Sequence, residues 1–287
     1  MRLAVTGASG FIGSRFCDAA RARGHAVITV GRSSGERRWD PMIGPAPIDG
    51  AEVVVHLAGD PVADGRWTKA KMDRIRDSRV LGTRNLVAAI RAAAVKPRAL
   101  VCASATGYYG DRGDEELTED SAPGSDFLAG VCRSWEEEAS KAGIRTVSVR
   151  IGIVLGAGGG ALQKMLLPFK LGLGGRLGHG RQWMSWIHRD DLVDLLLHAV
   201  EKESLSGTLL GTSPNPVRNA DFTKALGRAL GRWTVLPMPE GAMRILMGKV
   251  ASVLCGSQRC LPKRTEASGF PFRHPELEPA LRQILGV

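Results

Sequence analysis

Tyrosine is almost missing from this chain: Tyr108 and Tyr109 are the only two in 287 residues, and aromatic residues of all kinds make up 5%. Any chemistry that needs a phenol hydroxyl must therefore use this one adjacent pair. Cysteine is sparse as well. The thiols at positions 17, 102, 132, 255 and 260 form an odd set with no C-x-x-C spacing, which argues against a zinc or dithiol redox motif and for buried thiols. No stretch reaches the ~18 uninterrupted apolar residues of a spanning helix, and no basic and apolar leader stands ahead of Arg2-Leu3-Ala4-Val5. The expectation is a cytoplasmic protein with no membrane partner. Internal repeats and low-complexity segments are absent too, and the glycine runs at 156–160 and 172–175 are too short to link independent domains.

What the chain does contain is an ordinary globular mixture, 44% apolar and 24% charged, with a formal charge of +10. The excess Arg and Lys are scattered along the chain and accompany no recognition motif, so the reading is a solvated basic surface and no nucleic-acid partner. Leu3-Ala4-Val5, a glycine-rich turn, helical spacing over Phe16 to Arg23, and Ala26 to Val30 predict strand, helix and strand. The alternation continues through a strand at Val53 to Leu57, a helix at Lys69 to Ala93, and a strand at Ala99 to Ala103. A helix near Val131 to Ala142 and a strand at Thr146 to Arg150 follow.

Strands that are nearly all apolar belong to a parallel sheet covered on both faces. The expected fold is thus α/β, a Rossmann-type doubly wound parallel sheet with a smaller C-terminal substrate lobe. We place the cofactor part mainly in 1–155, the whole Rossmann domain in 1–236, and a small C-terminal domain in 237–287, with helices at Gly241 to Leu254 and Leu277 to Leu285.

Thr6-Gly7-Ala8-Ser9-Gly10-Phe11-Ile12-Gly13 sits between the first predicted strand and helix. In that position, Gly7 serves a tight turn, Gly10 lets backbone approach a pyrophosphate, Gly13 permits close packing, and the helix N-terminus supplies N–H groups. After the second strand come Gly31-Arg32-Ser33, where an NAD site usually carries an acidic residue; an Arg there pairs with the 2′-phosphate of NADP. The expected cofactor is NADP(H), although Asp40 is within sequence reach of the ribose. Leu57-Ala58-Gly59 closes the third strand with small residues on which a flat nucleotide can lie.

Thr6 to Gly13, His56-Leu57-Ala58-Gly59 and Trp186-Ile187-His188-Arg189-Asp190-Asp191-Leu192 resemble the extended short-chain dehydrogenase/reductases, whose best-known members epimerise nucleotide sugars. Asp64-Gly65-Arg66-Trp67, Arg76 to Thr83, Gly107-Tyr108-Tyr109-Gly110, Gly158 to Ala161, Trp183 to His188 and Gly256-Ser257-Gln258-Arg259 are similar to a narrower epimerase family of NADP-dependent oxidoreductases with its own C-terminal domain. That resemblance implies contacts to adenosine and phosphates at Gly31, Arg32, Leu57, Ala58 and Arg79.

Reductases of this superfamily use a Tyr as general acid with a Lys four residues on. Here the residues four places after Tyr108 and Tyr109 are Arg112 and Gly113, so the pair is missing. The remaining candidates are Ser104, with Thr106 as its rival, to hold the substrate oxygen, and Tyr108 or Tyr109 as proton donor. Cys132 and Glu136 are lesser options. His188 to Asp191 reads as a helix start capped by Asp190 or Asp191, not as a metal site. Two functions follow: an NADP-dependent oxidoreductase or epimerase acting on a small hydroxyl or carbonyl compound, or a nucleotide-binding regulatory or scaffold protein, which the resemblance extends to plastid relatives tied to organelle division. The expected partner is a small-molecule substrate, with a homodimer left open.

Overall fold

The computed structural model describes residues 1–234, 236–248, 251 and 255–287. Seven strands share one sheet: β1 (Arg2–Thr6), β2 (Ala26–Gly31), β3 (Arg37–Arg38), β4 (Val53–His56), β5 (Ala99–Ala105), β6 (Arg145–Ile151) and β7 (Gly207–Gly211). Their order is β7-β6-β5-β4-β1-β2-β3 and all pairings are parallel. The chain starts in the middle of the sheet, runs to one edge, then returns and builds outward. That reversal beside β1 and β4 is the switch point at which open α/β sheets bind ligands.

Alternation within each strand divides the core in two. Leu3, Val5, Val53, Val55, Val101, Val147 and Val149 point to one face, where they meet Phe16 and Ala20 of α1 (Phe11–Ala22) and Leu192, Leu195, Leu196 and Val200 of α5 (Arg189–Glu201). Ala4, Val30, Val54, Leu100 and Cys102 point to the other, against Leu86, Val87 and Ile90 of α2 (Lys69–Ala92) and Trp135 and Ala139 of α3 (Phe127–Ser140). Burying side chains of this size stabilises the fold by roughly 1.5–3 kcal/mol each. Helix α3 begins four residues before the expected Val131 because Asp126 caps it, accepting the Ala129 N–H at 2.8 Å.

A third cluster lies beyond the sheet. Leu162 and Phe169 of α4 (Gly160–Lys170), Phe222 and Leu226 of α6 (Asn219–Leu230), Trp186, and Leu277, Ala280 and Leu281 of the last helix (Leu277–Leu285) pack together. The C-terminal residues also join the other clusters, Phe270 in the sheet core and Cys260 against Tyr109 and Leu117. A helix spans Glu240–Met247; residues 249, 250 and 252–254 of the expected Gly241 to Leu254 helix lie outside the described residues. No described helix is long and apolar enough to cross a membrane.

The expected cap of α5 is corrected. His188 is its N-cap and accepts the Asp190 N–H at 3.1 Å, whereas Asp190 pairs with Arg15 and Asp191 accepts the N–H groups of Arg273 and His274. The imidazole at the cap position reaches the backbone first, leaving both carboxylates for tertiary partners.

Candidate functional site

The glycine turn after β1 is built by three different constraints. Gly7 has φ +71°, and a Cβ there would lie 2.7 Å from the Leu57 carbonyl carbon. At Gly13 a Cβ would lie 2.1 Å from the Gly7 oxygen. Neither position has room for a side chain. Gly10 differs: its φ of −76° is ordinary, and the one atom close to a Cβ there is the Gly7 oxygen at 3.2 Å. Its outward face is open, directly above the first turn of α1. The N–H groups of Phe11, Ile12 and Gly13 have no intrahelical acceptors in that turn, which carries no acidic residue. The cradle therefore fits a diphosphate.

Thr6 acts from beneath. Its hydroxyl meets His56 Nδ1 at 2.6 Å, while His56 Nε2 meets the Thr83 hydroxyl at 3.1 Å. Burial pushes the His56 pKa down to about 4, with the charge of Arg79 adding to the effect. A neutral imidazole thus pins the ends of β1 and β4 to α2, and Thr6 shapes the turn without turning its hydroxyl to the cleft.

At the end of β2, a Cβ on Gly31 would sit 2.4 Å from the Ser34 oxygen, which makes the following turn tight. Arg32 and Ser33 are exposed on it, and Arg38 Nη1 holds the Arg32 carbonyl at 2.9 Å. Asp40 makes a local turn by accepting the Met42 N–H at 2.9 Å. Leu57 donates its N–H to the Thr6 carbonyl at 3.1 Å, and Ala58 and Gly59 continue along the same edge. A Cβ on Gly59 would lie 3.2 Å from the Arg79 guanidinium carbon. Arg79 donates to the carbonyls of Asp60 (3.0 Å) and Ile75 (3.1 Å) and lies over Trp135, and among the described residues it has no carboxylate within ion-pair distance. Its charge is available beside the small residues of the edge.

The candidates for chemistry separate. Ser104 is buried and donates its hydroxyl to Glu136 Oε1 at 2.6 Å. Glu136 is gripped by Arg150, and Arg150 Nη1 also donates to the Tyr109 hydroxyl at 2.9 Å. Tyr109 is fully buried and its hydroxyl donates a hydrogen bond to the Thr118 carbonyl at 2.7 Å; burial holds its pKa above the usual phenol range despite Arg150. Tyr108 differs from its neighbour. It is half-buried, its ring is stacked on the Arg150 guanidinium at 3.4 Å, and among the described residues nothing bonds its hydroxyl. Thr106 is buried in the 3-10 turn Thr106–Tyr109. Helix α3 turns Leu128 and Cys132 toward Gly107 of the same turn, and burial pushes the Cys132 thiol up to about 12, so it is inert near neutrality.

Arg150 is the site residue that the sequence reading passed over. The signal for it is a charged side chain one residue after buried Val149 in a central strand, which needs a partner if it too is buried. The Gly256-Ser257-Gln258-Arg259 motif also finds its use in this region. Ser257 donates its hydroxyl to the Gly113 carbonyl at 2.5 Å, Gln258 donates to the Gly110 carbonyl at 3.1 Å, and Arg259–Cys260 pairs in parallel with Glu116–Leu117. The tail thereby clamps the loop that follows the two tyrosines.

Fold and site together define a doubly wound α/β protein with a dinucleotide-type glycine turn. The profile of the NAD dependent epimerase/dehydratase family matches residues 3–209, so the chain belongs to that family, and a second profile, a domain of unknown function named DUF1731, matches residues 238–284. The chain is 38% identical to the human epimerase family protein SDR39U1 over 293 residues, covering 99% of this chain and 100% of the relative. It is 40% identical to a chloroplastic SDR39U1 homolog of Arabidopsis thaliana over 302 residues, covering 99% and 87%. Among solved structures, human SDR39U1 (isoform 2) with NADPH superposes with a TM-score of 0.93 at 36% identity, covering 100% of this chain and 99% of that one. A UDP-galactose 4-epimerase at 22% identity and a TM-score of 0.77 shares the fold.

Proposed function

We propose that this chain binds NADP(H) in preference to NAD(H) across the C-terminal edge of its sheet and works as an oxidoreductase or epimerase on a small hydroxyl or carbonyl compound. The observation that carries the reading is the open face of Gly10 above α1, set between two glycines with no room for a side chain and followed by exposed Arg32 at the end of β2. NADPH in the human relative's structure supports it. When bound, the nicotinamide supplies or accepts a hydride. Thr6, Gly7, Gly10, Phe11, Ile12 and Gly13 shape or line the pyrophosphate cradle; Gly31, Arg32 and Ser33 hold the 2′-phosphate; and Leu57, Ala58, Gly59 and Arg79 take the nucleotide edge. Tyr108 is the proton donor in this reading, since the Tyr109 and Ser104 hydroxyls are spent on Thr118 and Glu136. Ser104 then acts by holding the edge in place.

One observation favours the second function, a cofactor-binding regulatory or scaffold protein: α3 offers Leu128 and the inert Cys132 where it meets the tyrosine turn. Turnover separates the two. We expect calorimetry to give tighter binding of NADPH than NADH, and Arg32→Ala to lose on the order of 1.5–3 kcal/mol for NADPH alone. NADPH fluorescence across a carbonyl library should then find a substrate whose rate falls ~10²–10⁴-fold in Tyr108→Phe. Equal affinity for the two cofactors rejects the preference, and tight binding with no turnover selects the regulatory function.

A further inference from the structure

The sequence triplet Arg189-Asp190-Asp191 opens α5 with two negative charges and one positive, and the fold disposes of them unequally. Asp190 is taken by Arg15 of α1, through Nε at 2.8 Å and Nη2 at 3.2 Å. Asp191 is buried and accepts the N–H groups of Arg273 at 3.1 Å and His274 at 2.9 Å. Arg189 is the member left over: among the described residues no carboxylate lies within ion-pair distance of it. One of its five donors is used, Nη1 to the Ala157 carbonyl at 3.0 Å, while Nε is buried and has no acceptor among the described residues.

The position of this charge is set by Phe11, the first residue of α1. The Arg189 guanidinium carbon lies 4.9 Å over the Phe11 ring. The same ring is received by the glycine run at 156–160: a Cβ at Gly156, Gly159 or Gly160 would come within 3.0, 2.5 and 2.8 Å of its atoms. The oligoglycine sequence therefore has a packing reason, a seat for Phe11 that any side chain would fill. Arg189, Phe11 and the 156–160 loop form one unit against the helix turn whose N–H groups are open. Holding an uncompensated guanidinium partly out of water is unfavourable unless an anion completes it, and Arg forks match phosphate oxygens.

We propose that Arg189 is a cofactor-binding residue that neutralises a diphosphate ester seated on the glycine turn, reaching it from α5 while the α1 N–H groups reach it from the other side. The proposal rests on the reading that the chain binds NADP(H). It makes the diphosphate the joint between the first turn of α1 and the loop that leads into α4, since the cation that holds it is packed on that loop.

The test is an equilibrium titration of wild type, Arg189→Gln and Arg189→Lys with two probes: NADPH, and adenosine 2′-monophosphate, which carries the 2′-phosphate but no diphosphate. The expected result is a loss of about tenfold or more in NADPH affinity for Arg189→Gln, partial recovery in Arg189→Lys, and affinity for adenosine 2′-monophosphate unchanged within about twofold. Thermal melting confirms that each variant is folded; Arg189→Met, which keeps an unbranched stem over Phe11, replaces Arg189→Gln if that variant does not fold. NADPH affinity within about twofold of wild type overturns the proposal, as do equal losses for both probes, which would mean a distorted turn. A wild type that binds neither probe rejects the cofactor reading itself, a result distinct from either of these.

Discussion

Arg150 grips Glu136 with two nitrogens, Nε on Oε1 and Nη2 on Oε2, both at 2.8 Å, and so ties β6 to α3 across the buried end of β5. Both side chains are largely out of water, and each makes further bonds: Glu136 accepts the Ser104 hydroxyl, and Arg150 donates to the Tyr109 hydroxyl and to the Glu119 carbonyl. The pair is the floor under the candidate site.

Breaking that floor should cost stability before it costs binding. Glu136→Ala leaves a buried guanidinium without its counterion, a loss of about 3–5 kcal/mol. Tyr109→Phe removes one hydroxyl that links Arg150 to the Thr118 carbonyl, a loss of about 1–3 kcal/mol. Urea unfolding reads both, and a Glu136→Ala midpoint equal to wild type would show that the pair contributes nothing.

The three glycines of the turn should fail in different ways. Gly10→Val keeps an allowed backbone angle and meets little protein, yet its branched side chain occupies the open face above α1; circular dichroism should stay native while NADPH titration goes flat. Gly13→Ala forces a Cβ to 2.1 Å from the Gly7 oxygen and should lower the melting temperature by itself. Retained NADPH binding in Gly10→Val would reduce the turn to a structural element.

The neutral His56 sets a pH window. Its folded pKa is depressed to about 4 by burial, and the unfolded value is near the usual ~6.5. Below the unfolded value the unfolded chain takes up a proton that the folded chain refuses. Stability contributed by the neutral ring is therefore complete above pH ~6.5 and lost progressively as pH falls toward 4, by up to about 3 kcal/mol. Melting temperatures from pH 7 to 4 should fall more steeply in wild type than in His56→Gln. Parallel curves would assign the acid sensitivity to other groups.

The sequence by itself determined the periodicity and the turn. Apolar strands alternating with helical spacing specify a covered parallel sheet because no other arrangement buries them. Glycines at 7, 10 and 13 between a strand and a helix specify a tight turn with open helix N–H groups, the pattern expected of a dinucleotide turn. The missing Lys four residues beyond either tyrosine was equally plain, being a fact of spacing. What only the tertiary structure decided are the uses of polar side chains whose partners lie far along the chain. Tyr108 and Tyr109 are adjacent and look equivalent in sequence, yet one hydroxyl is sealed against Thr118 and Arg150 while the other has no partner among the described residues. Ser104 looks like a substrate contact until Glu136, 32 residues later, accepts the hydrogen bond of its hydroxyl. Asp190 and Asp191 look like caps until Arg15, Arg273 and His274 arrive from opposite ends of the chain and leave Arg189 with no carboxylate partner among the described residues. Hydrophobic pattern acts over a few residues and can be read in order; what a glycine must clear, such as Leu57 at Gly7 or Phe11 at Gly159, and what satisfies a buried polar group are settled only when the chain has closed.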